Sequence, residues 1–321
     1  MILIFSSKLS GDDEAAGLLS QKIRTIGSDV VLINPHSDLS KIALLQKGRK
    51  LELLVDGKPC FPRVVYVATP WRCDAIINAE KYPNSLRSRT QQFLQDIRFA
   101  FEDVTWLPGK YESIERADSK PGLMRLAGQD GLKTPLFTLN AHTPGDVKVE
   151  SGVYQKHLGP PFVVSINTEK GIEVGVTTTN LFHSDSKTIR LEKQPWQWQQ
   201  PIHSVAQVRC FVVDERVWAV RWEHDPSQDG IWDYRYANEV KELPVRWYPY
   251  ELPHATAEAL LCLMQKLKLR IASPEFLITS NGNHVFIDMN PCGDWFGFFS
   301  AEDNQEIIET LARLLVSRPR V

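Results

Sequence analysis

The residues with the clearest chemical potential lie in one predicted β-hairpin near the end of the chain. Glu275 and Asp288 flank the dipeptide Asn281-Gly282, and Asn-Gly is the preferred loop of a two-residue type I′ hairpin. With that loop, Ser280 pairs with Asn283, and counting outward along both strands places Glu275 opposite Asp288. Their Cβ atoms would then lie roughly 5 Å apart on one face of the sheet. The sequence therefore predicts two facing carboxylates.

Three further residues of the hairpin are predicted on the same face: Asn290, Leu277 and Phe286. Two carboxylates this close destabilise one another unless they share a proton or a cation. Together with the Asn290 amide they form a set of hard oxygen ligands, which suits Mg²⁺ rather than zinc. The alternative is an acidic sheet rim neutralised by Lys or Arg neighbours, and the residues leave both interpretations open. A glycosidase-like acid pair would need a sugar cleft, which no segment indicates.

The position of Arg209 also needs an explanation, because this charged residue lies within an apolar alternating strand over 205–213. A buried arginine needs an anionic partner. A bound phosphate would supply one, and a structural pair with Glu275 or Asp288 is the alternative. The scattered His and Cys residues form no recognisable Ser or Cys nucleophile elbow.

Composition excludes several classes of protein. Lys plus Arg number 37 and Asp plus Glu number 39 in 321 residues, which argues against a nucleic-acid partner bound by bulk phosphate neutralisation. No stretch approaches the roughly twenty apolar residues of a membrane span, and the start MILIFSS lacks a basic n-region. The five cysteines are scattered and lack CxxC spacing. We expect a cytoplasmic protein without a membrane partner.

The elements that must position these residues alternate strand and helix in the first hundred residues and end near Leu107-Pro108-Gly109. A GxGxxG dinucleotide fingerprint is absent there. A central region follows, and then a sheet with covering helices, the last predicted over Gln305–Val316 with Asp303 as its cap. The pattern predicts an α/β (α+β) chain in three parts, residues 1–107, 108–198 and 199–321.

The hairpin also resembles a known family. The strand that ends in Phe286-Ile287-Asp288-Met289-Asn290-Pro291 resembles the metal-binding end of ATP-grasp ligases. The following Cys292-Gly293-Asp294-Trp295-Phe296 is more narrowly similar to the microviridin-type (graspetide) ligases, which modify ribosomally made peptides and are relatives of the RimK-type ligases. The similarity runs from about residue 107 to the C-terminus. It implies an ATP-grasp fold behind an N-terminal pre-ATP-grasp α/β domain.

The resemblance implies ATP and Mg²⁺ as cofactors and gives roles to individual residues. Glu275, Asp288 and Asn290 match the metal ligands of the family. Lys120 and Lys156 match the two lysines that contact ATP phosphates.

Further roles follow from the same resemblance. Arg209 matches the arginine that, with Lys156, stabilises the transferring phosphate. Gln199, Gln200 and Ile202 match the adenine hinge, with Gln200 in the place of the usual acid. Asp233 and Arg235 match the segment that meets the acidic side chain of the peptide substrate.

The activity that the resemblance implies is ATP-dependent ligation. A carboxylate is activated as an acyl phosphate and joined to a hydroxyl or amine, forming side-chain ester or amide crosslinks in a precursor peptide. The alternatives are a RimK-type ligase that adds an amino acid, and a catalytically silent peptide-binding module. The strand over 64–72 lacks the paired arginines usual in the family, which bears on the choice of peptide. The acceptor, the type of bond and a homodimer remain open.

Overall fold

The computed structural model describes residues 1–6, 14–34, 41–68, 92–93, 95–140, 153–156, 163–168, 171–176, 180–182, 196–199, 202–224, 234, 244–293 and 295–317. The strands within these ranges are β1 (Ile2–Phe5), β2 (Val30–Ile33), β3 (Ile42–Lys47), β4 (Lys50–Val55), β5 (Lys58–Cys60), β6 (Val64–Val67), β7 (Thr105–Leu107), β8 (Phe137–Asn140), β9 (Val153–Lys156), β10 (Val163–Thr168), β11 (Gly171–Val176), β12 (Asn180–Phe182), β13 (Trp196–Gln199), β14 (Ser204–Val213), β15 (Arg216–Glu223), β16 (Tyr248–Pro249), β17 (Ile271–Thr279) and β18 (His284–Asn290). The helices are α1 (Glu14–Thr25), α2 (Tyr111–Asp118), α3 (Lys120–Gln129), α4 (His254–Leu267) and α5 (Ala301–Val316). In the described part of the chain, no helix is long and apolar enough to cross a membrane.

One compact unit combines Met1–Lys110 with Leu269–Ile271 and Pro291–Val321. Its parallel sheet has the order β2-β1-β6-β7. All four residues of β1 and of β6 are buried, which is why both strands are continuous apolar runs rather than alternating ones. Helix α1 packs against α5, and the Lys22 ammonium lies 2.6 Å from the Glu309 carboxylate between these helices.

The same unit carries the antiparallel meander β3-β4-β5. Val55 pairs with Lys58 across a two-residue loop. Both loop residues have left-handed backbones, with φ of 50° at Asp56 and 73° at Gly57, as a type I′ turn requires. The dipeptide Asp56-Gly57 therefore forms a tight two-residue hairpin loop.

The second unit combines Tyr111–Lys268 with Ala272–Asn290. Its five-stranded sheet has the order β16-β15-β14-β17-β18. The unit also contains a four-stranded sheet of order β12-β9-β13-β8 and the pair β10-β11. Helix α4 buries Leu260, Leu263, Met264 and Leu267, one stripe at helical spacing. The chain therefore mixes helices and sheets as predicted. The division into three parts is finer than these two units and stays a prediction.

One predicted cap is wrong. Helix α5 begins four residues before the predicted start, and its N-cap is Ser300, whose Oγ accepts a hydrogen bond from the Asp303 backbone nitrogen at 3.1 Å. Asp303 occupies the first turn instead. The physical reason is the usual preference of a serine hydroxyl for the N–H groups at a helix start.

Candidate functional site

The loop of the acidic hairpin is one residue longer than predicted. Thr279 N donates to Asn283 O at 3.0 Å, Gly282 N donates to Thr279 O at 2.9 Å, and Gly282 has a φ of 77°. This is a three-residue loop that ends in a left-handed glycine. Side-chain hydrogen bonds stabilise this loop. Asn283 Nδ2 donates to Asn281 Oδ1 at 2.8 Å, and Asn283 N donates to Thr279 Oγ1 at 3.2 Å. The predicted two-residue type I′ loop is therefore wrong.

A β-bulge restores the predicted acidic pair. Phe276 pairs with Phe286, whereas Glu275 pairs with Asp288, so Ile287 is an extra residue on β18. The longer loop shifts the register by one residue and the bulge shifts it back. The facing of Glu275 and Asp288 is confirmed. The predicted placement of Phe286 on the acidic face is wrong, because it stands opposite Phe276 in the core, with ring centroids 5.5 Å apart.

Strand β14 supplies the partners of Glu275. The Arg209 Nη2 atom lies 3.4 Å from Glu275 Oε1, and Gln207 Nε2 donates to Glu275 Oε2 at 3.1 Å. Arg209 is 7% exposed, so its charge needs a partner within the protein. Both oxygens of Glu275 are thus engaged by the neighbouring strand. This ion pair is the structural alternative that the sequence left open for Arg209.

Asp288 has its own cation. Lys120, the first residue of α3, forms an ion pair with Asp288 Oδ1. The same oxygen accepts a hydrogen bond from the Met289 backbone nitrogen at 2.7 Å. The two facing carboxylates are therefore neutralised one by one, by Arg209 and by Lys120. The four formal charges sum to zero, so the two acids can face each other without strong mutual repulsion.

Tyr234 completes the surroundings of Arg209. The Arg209 Nη1 group donates to the Tyr234 hydroxyl, and the guanidinium carbon lies 5.2 Å from the centre of the Tyr234 ring. Sequence reasoning gave no role to Tyr234 or to Gln207. Their signals were present: Gln207 lies two residues before Arg209 on the same strand face, and Tyr234 lies within the segment that resembles the family motif.

Cys210 is a buried thiol beside Arg209. Burial raises the pKa of Cys210 far above its ordinary value, the Glu275 charge raises it further, and Arg209 lowers it only in part. Cys210 directly follows Arg209 on β14, so its side chain lies on the opposite face of the strand. A thiol that stays protonated is a poor nucleophile.

The remaining predicted residues are only partly described. Asn290 pairs with Ser273, which places it on the face of Glu275 by strand alternation. Gln199 at the end of β13 is buried, and its Oε1 has no hydrogen-bond partner among the described residues. Ile202 is half-buried. Lys156 is the last residue of β9, and its side chain is not among those described. Gln200, Asp233 and Arg235 lie outside the described residues.

The donor set fits a hard divalent cation. Two carboxylates face each other and the Asn290 amide shares their face, and carboxylate and amide oxygens are ligands that Mg²⁺ accepts together with water and phosphate. No group of three or more His, Cys, Asp or Glu residues that could hold a metal occurs in the described ranges. A metal here would therefore depend on two acids and one amide.

Comparison with solved structures shows that the chain has the ATP-grasp fold, as predicted. Similar structures include the Chryseobacterium gregarium RiPP-associated ATP-grasp ligase in complex with ADP and a leader and core peptide, with a TM-score of 0.75 and 20% identity over 99% of this chain and 97% of that one. The macrocyclase MdnC from Microcystis aeruginosa, bound with precursor peptide MdnA, has a TM-score of 0.74 and 17% identity over 98% and 99% of the two chains. The ATP-grasp ligase PsnB, complexed with minimal precursor, Mg and ADP, has a TM-score of 0.69 and 16% identity over 99% and 97%.

No family profile matches the sequence of this chain, and no curated protein matches it. At 15–20% identity the structural likeness establishes the fold. The similarity spans nearly the full length of both chains, which includes the first hundred residues where the sequence resemblance was weak.

Proposed function

We propose that this chain is an ATP-dependent ligase that activates a carboxylate as an acyl phosphate and joins it to a hydroxyl or amine of a ribosomally made precursor peptide. The observation that carries the proposal is the cluster of two facing acids and two cations, Glu275, Asp288, Arg209 and Lys120, in a chain with the ATP-grasp fold. Peptide complexes among the similar structures support a peptide substrate.

The cations of the cluster suit the first half of the reaction. A substrate carboxylate oxygen attacks the γ-phosphorus of ATP, the bond to the β-phosphate oxygen breaks, and ADP leaves. Lys120 and Arg209 would exchange their carboxylate partners for phosphate oxygens and offset the charge of the transferring group. Lys156 would also contribute its charge to this role. Mg²⁺, when held by Glu275, Asp288 and Asn290, would supply charge neutralisation between the phosphates.

The second half needs orientation rather than a protein nucleophile. A hydroxyl or amine of the peptide attacks the acyl carbon, the bond to the phosphate oxygen breaks, and the nucleophile loses a proton as phosphate leaves. An ester or an amide results, and one water equivalent is lost from the peptide for each bond. Asp233 and Arg235 are our candidates for contact with the peptide.

The nucleotide base would meet the hinge of Gln199, Gln200 and Ile202. The buried Gln199 Oε1, unpaired among the described residues, supports this assignment, since a buried acceptor without a donor is unfavourable. Because the proposed reaction consumes ATP, we place the protein in the cytoplasm. A homodimer is not required by any step.

A catalytically silent binding module is the second candidate. It is favoured by one observation: both carboxylates already have cationic partners within the protein, so the cluster is complete without a ligand. A RimK-type ligase that adds an amino acid would share the nucleotide site and differ in its acceptor only.

The deciding experiment is calorimetric titration of the purified protein with a non-hydrolysable ATP analogue, with and without Mg²⁺. We expect Mg²⁺-dependent binding that is lost in Asp288→Ala and kept in Glu223→Gln, a matched control whose acid pairs with Arg221 at 3.1 Å on the opposite face of the same sheet. Absence of binding in the wild type would favour the silent module.

The acceptor is then identified with ATP, Mg²⁺ and candidate peptides. Mass spectrometry should show loss of water from a precursor peptide rich in Thr, Ser, Asp, Glu and Lys, and hydroxylamine should trap the acyl phosphate as a hydroxamate. Addition of a free amino acid instead of loss of water would identify the RimK-type activity and overturn the crosslinking proposal.

A further inference from the structure

Tyr234 and Glu275 hold Arg209 in chemically different ways. Glu275 is an acid whose Oε1 lies 3.4 Å from Arg209 Nη2, and its Oε2 accepts a hydrogen bond from Gln207 Nε2. Tyr234 is neutral: its hydroxyl accepts from Arg209 Nη1, and its ring lies beside the guanidinium, 5.2 Å from centroid to carbon. An anion cancels the charge of an arginine, whereas a neutral acceptor and an aromatic face hold the arginine and leave its charge intact.

We propose that Tyr234 is a positioning residue that directs the Arg209 guanidinium, an inference that rests on the proposed function of Arg209 in phosphate transfer. If Glu275 turned to a bound Mg²⁺, Arg209 would lose the Glu275 carboxylate. Tyr234 would then keep the guanidinium in place for the phosphate without competing for its charge. Positioned donors stabilise developing charge best when they need no reorganisation during the reaction.

Tyr234 is itself fixed by an aromatic cluster on the same sheet face. Its ring makes an edge-on contact with Trp247 at 5.4 Å between centroids, and it packs against the buried Trp222. Trp222 pairs with Gln207 across β14 and β15, so this cluster adjoins the strand that carries Arg209. Edge-on aromatic pairs restrict ring orientation, which gives the phenol a defined place from which to hold Arg209.

The test compares Tyr234→Phe with Tyr250→Phe. The first removes the hydroxyl and keeps the ring. The second is a matched control on the opposite face of the sheet, where the Tyr250 hydroxyl lies 2.7 Å from His284 Nε2. With a peptide that wild-type protein modifies, we expect Tyr234→Phe to lower kcat about tenfold with little change in the KM for ATP. Tyr250→Phe should keep the wild-type kcat.

Two further readouts separate positioning from a structural role. In an Arg209→Lys background, Tyr234→Phe should have almost no additional effect on kcat, since the hydroxyl acts through Arg209. In the protein without nucleotide, NMR of the guanidinium should show faster rotation about the Nε–Cζ bond of Arg209 in Tyr234→Phe than in the wild type or Tyr250→Phe.

The possible failures are distinguishable. Additive effects on kcat in the Arg209→Lys background, or unchanged guanidinium rotation in Tyr234→Phe, would overturn the role of Tyr234. A wild-type protein that turns over no ATP with any peptide would overturn the proposed ligase function. The guanidinium measurement would still show whether the phenol holds Arg209.

Discussion

Glu275 and Asp288 show how two facing carboxylates are accommodated in a folded protein. Each has a separate cation, and Gln207 adds a hydrogen bond to Glu275. The arrangement has a consequence for ligand binding. A nucleotide whose phosphates took Arg209 and Lys120 would leave the two adjacent acids without cations, and the repulsion between the acids would then oppose binding. A divalent cation that binds both acids would remove that repulsion.

We therefore expect Mg²⁺ and ADP to strengthen each other's binding. The affinity for ADP should rise at least about tenfold when Mg²⁺ is present, which corresponds to about 1.4 kcal/mol. The double variant Glu275→Gln, Asp288→Asn should bind ADP without Mg²⁺ at least as tightly as the wild type, because the cations are released and the acids no longer repel. In this variant Mg²⁺ should have no effect. Calorimetry measures both affinities.

Glu223→Gln serves as the control, since its ion pair with Arg221 lies on the opposite face. It should keep the wild-type response to Mg²⁺. If the double variant binds ADP without Mg²⁺ more weakly than the wild type, the acids contact the nucleotide in some other way and the exchange of partners is contradicted.

His284 gives the folded protein a predictable pH dependence. Burial lowers the pKa of His284, the backbone at Gly282 raises it, and the charge of Arg221 lowers it again. The unfolded chain has an ordinary histidine pKa of about 6.5, so on acidification the unfolded state takes up this proton first. Stability should therefore fall as the pH drops below about 6.5, until the lower folded pKa is passed.

The measurement is chemical denaturation of the wild type and His284→Gln between pH 8 and pH 5. The variant should show a shallower loss of stability over the part of this range below the unfolded pKa, because it lacks the proton that favours the unfolded state. Parallel curves for the two proteins would show that His284 titrates equally in both states.

At the scale of elements, the acidic hairpin has the predicted pairing of Glu275 with Asp288, but a three-residue loop and a β-bulge produce it instead of a two-residue loop. Alternation and turn residues indicated its strands and the facing acids. The Thr279, Asn281 and Asn283 side chains select the longer loop, and the bulge at Ile287 compensates for it. Bulges depend on packing across the whole sheet, which in this hairpin includes the Phe276–Phe286 contact. Local sequence rules do not contain that information.

The longer loop requires a left-handed backbone at position 282, which glycine adopts without strain. The φ of Gly282 is 77°, and a Cβ there would meet nothing within 4 Å, so the strain of Gly282→Ala is purely conformational. We expect a loss of about 1 kcal/mol in the free energy of unfolding. Gly128→Ala is the matched control in the same unit. Gly128 lies within α3, and its nearest neighbour would be Thr134 Oγ1 at 3.9 Å.

Gly128→Ala should raise the free energy of unfolding by up to about 1 kcal/mol, because alanine favours the helix. Urea denaturation of both variants beside the wild type measures the difference. Equal effects of the two substitutions would mean that Gly282 is not required to adopt the left-handed conformation.

At the scale of the whole molecule, residue patterns predicted the class of fold and the facing acids but not all of the contacts. The sequence offered Glu275 or Asp288 as a partner of Arg209, and the structure shows the pair with Glu275. The Lys120–Asp288 pair joins residues distant in sequence and was not predicted. Sequence patterns also did not predict that residues 291–317 pack with the N-terminal unit. Nothing in a linear sequence shows that a chain returns to an earlier part of the fold.

The packing of residues 291–317 with the N-terminal unit predicts which strands are destabilised when a buried side chain of α5 is truncated. Leu311 in α5 and Leu263 in α4 are both fully buried, and each truncation to alanine should destabilise its own unit by about 2–5 kcal/mol. Hydrogen exchange by mass spectrometry should show Leu311→Ala lowering protection mainly in β1 and β6, and Leu263→Ala mainly in β14 and β17, since local stability follows the unit that contains the residue. Because α5 is distant in sequence from β1, a loss of protection confined to residues 199–317 in Leu311→Ala would contradict the two-unit organisation and favour a division that follows the order of the chain.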